Sequence, residues 1–144
     1  MTFTTKRMQI VLSADPDRVF KALTESKAVC AWFSEHAEID LAAKQYDFWG
    51  KYTPTVPDRN TGKHTIVECV SGEVLAYRWL VCDHETQVTL LLHPQQQGTL
   101  LTLCHAADNE GSSTLGVGED FWFLSLENLR RYLDGKPSDA RVDF

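Results

Sequence analysis

The chain has 144 residues, 43% hydrophobic and 24% charged; this is the size of one ordinary domain and the composition of a globular one, which excludes disordered and fibrous classes. Its formal net charge of −6, with no basic run longer than Lys6-Arg7 or Arg130-Arg131, argues against a phosphate backbone as partner, so no nucleic acid is expected. No stretch approaches the roughly 18 uninterrupted apolar residues of a membrane span, and Met1 to Arg7 holds no apolar signal core, so no membrane insertion and a cytoplasmic location are expected.

Arg7 to Ser13 alternates, with Met8, Ile10 and Leu12 on one face, and predicts a half-buried strand. Asp15 then stands as N-cap with Pro16 at the first helical position, and Val19, Phe20 and Leu23 follow at helical spacing. That helix is predicted to run to about Thr24. A second short helix, Lys27 to Trp32, follows with Ser26 as its cap and Val29, Trp32 and Phe33 turned inward. From there to His105 the period is two and turn residues recur, which predicts antiparallel strands at Glu35 to Leu41, Gln45 to Tyr52, His64 to Val70, Val74 to Cys82, Gln87 to His93 and Thr99 to His105. The longest irregular piece, Thr53 to Gly62, holds Pro54, Pro57, Asn60 and Gly62 and is the expected mobile loop. After the polar break Asp108 to Ser113, Gly116 to Asp134 reads as a long helix whose stripe is Trp122, Leu126, Leu129 and Leu133, flanked by Phe121 and Tyr132. Gly135 is the expected stop, and Asp139 to Phe144 a loose tail.

No helix interrupts the middle strands, so a parallel α/β fold is excluded and an α+β fold is predicted. A curved antiparallel sheet leaves a hollow that one amphipathic helix cannot fill, and a cavity between the two is the expected result. The whole chain, residues 1–144, is expected to form one domain.

Four cysteines, Cys30, Cys69, Cys82 and Cys104, are far apart and read as reduced, mostly buried thiols. Cys82-x-His84 and Cys104-His105 bring soft ligands together but lack the three or four converging groups that zinc needs, so no metal is expected. Gly116-x-Gly118 at a helix start could suggest phosphate binding, yet Glu119 and Asp120 follow at once and would repel an anion; they suit the helix dipole instead. No cofactor is expected.

The succession Asp15-Pro16-Asp17-x-Val19-Phe20-x-Ala22-Leu23-Thr24, Trp32-Phe33, Leu75-x-Tyr77-x-Trp79, Gly98-Thr99 with Leu101 and Leu103, and Trp122-x-x-x-Leu126-x-x-Leu129-x-x-Tyr132-Leu133-x-Gly135 resembles the START-like (SRPBCC) superfamily. Within it the chain resembles the branch named for the activator of the heat-shock-protein-ninety ATPase, over about residues 8 to 136. The resemblance implies a helix-grip fold: a curved antiparallel sheet of six to seven strands around a long carboxy-terminal helix, with two short helices after the first strand. It also implies a hydrophobic cavity, used across the superfamily for lipids, polyketides, hormones and other apolar molecules, and in some members for cyclase or dehydratase chemistry. It carries no catalytic residues across. The co-chaperone activity of the eponymous protein depends on a separate amino-terminal domain, for which no room is expected here. One departure stands out: related sequences carry a Gly-Gly pair at the turn between second and third strands, where this chain has Ala42-Ala43-Lys44-Gln45, so no glycine is available there for a positive φ.

A ligand cavity needs large apolar walls and a few placed polar groups. The candidates are Trp32, Phe33, Phe48, Tyr77, Trp79, Phe121, Trp122 and Leu126, with Ser125 beside them on the long helix and His105 on the strand face of Leu101 and Leu103. Mutual packing accounts for any one of these rings equally simply. His93 shares a face with Leu91, while Glu38 and Asp40 share the face opposite Ile39 and Leu41 and are expected to look into water, as are Glu68 and Glu73. No Gly-x-Ser-x-Gly elbow is present and no cysteine has an activating context, so nucleophilic catalysis has no support. Three readings follow: a binding protein for a small apolar or amphipathic molecule; a cyclase, dehydratase or hydrolase in the same cavity, with His105 or Tyr77 moving protons; or a protein whose outer sheet face, or tail at Arg141 to Phe144, docks a chaperone or an identical subunit as a homodimer.

Overall fold

A computed structural model describes residues 3–53, 55–81, 83–108 and 115–136. The amino-terminal alternation makes strand β1, Phe3–Leu12, longer than its apolar period alone indicates. The extension comes from its partner, because Phe3 to Lys6 pair with His105 to Asp108. Asp15 accepts a hydrogen bond from the Arg18 N–H at 2.8 Å and opens α1, Pro16–Thr24, with Pro16 in the first turn. Helix α2, Ser26–Trp32, has Glu25 at its cap position and no side-chain cap. Ser26 is therefore not the cap its position suggests; its Oγ accepts the Ile39 N–H at 3.0 Å and ties α2 to the next strand.

The middle strands are β2, His36–Asp40; β3, Gln45–Trp49; β4, Ile66–Val70; β5, Val74–Val81; β6, His84–Gln95; and β7, Gly98–Asp108. Five form one antiparallel sheet in the order β1-β7-β6-β5-β4, and β2 and β3 form a hairpin. The hairpin continues the sheet, since Tyr46 N–H donates to the His64 carbonyl at 3.1 Å, Phe48 N–H to Gly62 at 2.9 Å and Ile66 N–H to Lys44 at 2.9 Å. Its turn solves the missing-glycine problem by strain: Lys44 itself takes φ 58°, while Asp40 accepts the Ala43 N–H. Gly98, by contrast, must be glycine, because φ is +151° and a Cβ there would collide with the Leu12 carbonyl.

The loop between β3 and β4 is pinned at Val56, while residues 57–61 are exposed. Val56 is fully buried and bonded through its backbone to Gly50 and Thr53. Helix α3, Leu115–Leu133, closes the open face of the sheet. It ends in a Schellman motif, with Gly135 at φ +73° and hydrogen bonds from Lys136 N–H to Arg131 and Gly135 N–H to Tyr132. Arg18 of α1 caps the Leu133 carbonyl at 2.8 Å, fixing both helices over one end of the sheet. The first turn of α3 holds no acid; Glu119 lies one turn later and pairs with Lys6 of β1 at 3.8 Å. This is an α+β helix-grip fold: a curved antiparallel sheet of five plus two strands, with α3 gripped across it.

Two expectations need correcting or limiting. The thiols are not mostly buried: Cys69 is exposed on β4, and Cys30 and Cys104 are half-buried because they point away from the core face of α2 and β7. Cys82, the break at 109–114 and the tail at 137–144, with Arg141 and Phe144, lie outside the described residues. No helix among the described residues is long and apolar enough to cross a membrane.

Candidate functional site

Strand periodicity decides what faces α3. On β5 the inward residues are Leu75, Tyr77, Trp79 and Val81, and on β7 they are Leu101, Leu103 and His105, all buried. Phe121, Trp122, Ser125, Leu126, Asn128, Leu129 and Leu133 form the buried face of α3. All ten residues singled out as cavity walls, Trp32, Phe33, Phe48, Tyr77, Trp79, His105, Phe121, Trp122, Ser125 and Leu126, are at most 5% exposed.

Most of these rings meet in one cluster. Phe33 lies 4.8 Å from Phe48, 5.2 Å from Phe121 and 5.2 Å from Trp122, centroid to centroid. Trp79 lies 5.7 Å from Trp122 in an edge-on arrangement and 5.9 Å from Phe121. Tyr77 continues the cluster to Tyr46 at 4.6 Å and Phe48 at 5.9 Å.

The polar atoms of this cluster divide into two groups. Trp32 Nε1–H donates to the Ala22 carbonyl at 2.9 Å and Tyr46 Oη–H to the Leu23 carbonyl at 2.7 Å, so both are tied to the end of α1 and act as struts. Among the described residues, Tyr77 Oη, Trp79 Nε1, Trp122 Nε1, Asn128 Oδ1 and His64 Nε2 find no hydrogen-bond partner although buried. Such atoms are uncommon, and each costs about 1–3 kcal/mol when left unpaired.

Two buried histidines have tautomers set by their neighbours. Thr86 Oγ–H donates to the Trp79 carbonyl at 2.6 Å, so its oxygen can only accept from His105 Nε2–H, 2.7 Å away. The His105 ring stacks on Trp79 at 5.2 Å and 19°, and burial pushes its pKa down to about 4. His64 is the mirror case: Nδ1–H donates to the Tyr46 carbonyl at 3.1 Å, leaving Nε2 as a bare acceptor. Its ring stacks on Phe48 at 4.0 Å and 9° and stands edge-on to Tyr77 at 5.9 Å, and burial lowers its pKa to about 4 as well. Burial likewise holds the Tyr46 and Tyr77 phenols well above their usual range.

The remaining candidates fall outside this cluster. His93 is exposed. Glu38 faces water and forms a two-pronged pair with Arg59, which keeps its carboxyl below the usual range; Arg59 in turn lies 5.0 Å over the Trp49 ring. Asp40, Glu68 and Glu73 are exposed. Asp47 is buried on the outer side of β3, where it accepts from Gln45 Nε2 and the His64 backbone N–H. A groove of about 430 Å³ runs past it between Ala43, Lys44, Arg59 and Lys63. Among the described residues, no group of three or more His, Cys, Asp or Glu is placed to hold a metal ion.

Sequence reasoning missed Tyr46, His64 and Asn128. His64 shares a strand face with Ile66, and Asn128 shares the helix face of Ser125 and Leu129, so both periodicities held the signal.

The curved sheet with a gripped helix has counterparts among solved proteins. The family model described as "Activator of Hsp90 ATPase homolog 1-like protein" matches residues 13–134. The chain belongs to this family. As a member of the activator of Hsp90 ATPase homolog 1-like family it shares its architecture with several solved proteins. Protein MLL2253 from Mesorhizobium loti superposes with a TM-score of 0.75 at 18% identity, covering 92% of this chain and 98% of that one. CalU16 from Micromonospora echinospora gives 0.69 at 24% identity, with 94% and 76% covered. DynU16, from the dynemicin biosynthetic locus, gives 0.69 at 21% identity, and the chain spans 49% of its length. None of the curated proteins matches. At these identities the likeness establishes the fold, which is also that of the wider START-like superfamily, and leaves the family member's chemistry to its own residues.

Proposed function

We propose that the protein binds a small apolar or amphipathic molecule between the sheet and α3, in contact with Phe33, Phe48, Tyr77, Trp79, Phe121 and Trp122. One observation carries this reading: among the described residues, Tyr77 Oη, Trp79 Nε1 and Trp122 Nε1 are buried without partners inside the hydrophobic core cluster, and Asn128 Oδ1 is buried without a partner on the inward face of α3. A core selected only for packing replaces such groups with apolar ones, because an unpaired buried donor costs more than it contributes. Large rings with a few unmet donors and acceptors are instead the composition of a ligand pocket. Trp79 and Trp122 supply two indole N–H donors on neighbouring rings, which suit a carbonyl or ether oxygen, Asn128 adds an acceptor, and the Tyr77 hydroxyl can donate or accept. The family and its helix-grip fold support the same reading.

Ser125 and Leu126 extend the wall along α3, and His105 backs it from β7 as a neutral ring behind Trp79. Trp32, by contrast, contributes support: its only polar atom is already satisfied by α1. Native mass spectrometry and thermal shift against a panel of aromatic and lipid molecules test the proposal. A stoichiometric complex and a raised melting temperature for some aromatic or amphipathic member are expected. A panel without a binder, together with an interior that excludes xenon, would remove the reading.

A further inference from the structure

Resting on that binding reading, we infer that His64 Nε2 is a dedicated hydrogen-bond acceptor that selects a planar ligand bearing a hydroxyl group, phenolic or enolic, over the same ligand without its proton. The Nδ1–H bond to the Tyr46 carbonyl assigns the ring's one proton to the far nitrogen, so Nε2 offers a lone pair and nothing else. It is buried, has no hydrogen-bond partner among the described residues, and belongs to a residue only 6% exposed. The ring is stacked on Phe48 at 4.0 Å and stands edge-on to Tyr77 at 5.9 Å, so a planar group that reached Nε2 would do so beside these two rings.

The chemistry of the partner follows by elimination. A carbonyl or carboxylate oxygen would set lone pair against lone pair. An ammonium would need a counter-charge, and the nearby carboxylate, Asp47, faces the other side of β3 and is occupied by Gln45 and the His64 backbone. A neutral donor meets the requirement, and Tyr77 Oη, also without a partner among the described residues, favours a hydroxyl over a planar N–H, because a hydroxyl oxygen can accept from Tyr77 while its proton goes to Nε2. A hydroxyl-reading site discriminates by the cost of leaving its buried acceptor unpaired, which is why such sites reject isosteres strongly.

The test compares 2-naphthol with 2-methoxynaphthalene by fluorescence titration of the full chain. The wild type is expected to favour the naphthol by about tenfold, although the ether is the more apolar molecule. His64→Asn keeps a donor for the Tyr46 carbonyl and loses the Nε2 acceptor, so its preference is expected to fall to about one. Long-range proton–nitrogen correlation spectra of the wild type read the site without any substitution: they are expected to show protonated Nδ1 in the free protein and a shift of His64 Nε2 on adding naphthol only. Equal affinity of the wild type for both probes, a preference that survives in His64→Asn, or an unmoved Nε2 resonance would each overturn the inference while leaving the proposed binding between sheet and α3 standing. Failure of both probes to bind would refute the cavity reading itself, and this inference with it.

Discussion

Acidification should destabilise this protein through its two buried imidazoles. His64 and His105 both have pKa values lowered by burial from 6.5 to about 4. Their stability contribution is complete above pH 6.5, where neither state is protonated. It is lost as pH falls towards 4, because the unfolded chain then takes up protons that the folded one refuses. Integrating over that interval, moving from pH 7 to pH 5 costs about 2 kcal/mol for each ring and about 4 kcal/mol for the pair. That is a large part of the 5–15 kcal/mol that holds a typical domain together. Urea unfolding at pH 7, 6 and 5 measures the loss directly. His105→Gln preserves a donor to Thr86 and removes one titration, so its loss over the same interval should shrink to about 2 kcal/mol. A stability that is flat from pH 7 to pH 5, or a variant that loses as much as the wild type, would refute the reasoning.

Two further predictions separate struts from ligand-facing groups and test the strained turn. Trp32→Phe breaks a buried bond to Ala22 whereas Trp79→Phe breaks none, so the first should cost about 1 kcal/mol more in chemical denaturation, while only the second weakens binding of an aromatic probe; the reverse ranking would contradict the division drawn above. Lys44→Gly should stabilise the fold by about 0.5–1 kcal/mol in urea, because relief of a left-handed lysine exceeds the added freedom of glycine in the unfolded chain; a loss would mean that the Lys44 side chain contributes more than its strain costs.

The fold was legible because its signals are local. Asp15-Pro16 marks α1, period-two runs mark the strands, and Gly135 ends α3 in the conformation its position implies. Strand ends were less legible, since β1 and β6 are lengthened by pairing with β7, a non-local effect that alternation does not record. Ser26 was misread because a serine before a helix is a cap only if its hydroxyl is not taken elsewhere, and Ile39 takes it. The aromatic candidates were found as a set, yet sequence could not rank them. What separates Trp32 from Trp79 is a carbonyl of α1 within reach of one indole and not the other. His64 was missed for a similar reason: its role depends on Tyr46 lying across from it, a register fixed only when the β2–β3 hairpin meets the start of β4.

The four indole N–H resonances provide the most direct measurement of whether the interior holds a ligand. On titrating nitrogen-labelled protein with 2-naphthol, the signals of Trp79 and Trp122 should move together and saturate, while those of Trp32, bonded to Ala22, and Trp49, half-buried beneath Arg59 and away from the cluster, stay in place. Movement of Trp49 alone, or of none of the four, would contradict binding between the sheet and α3.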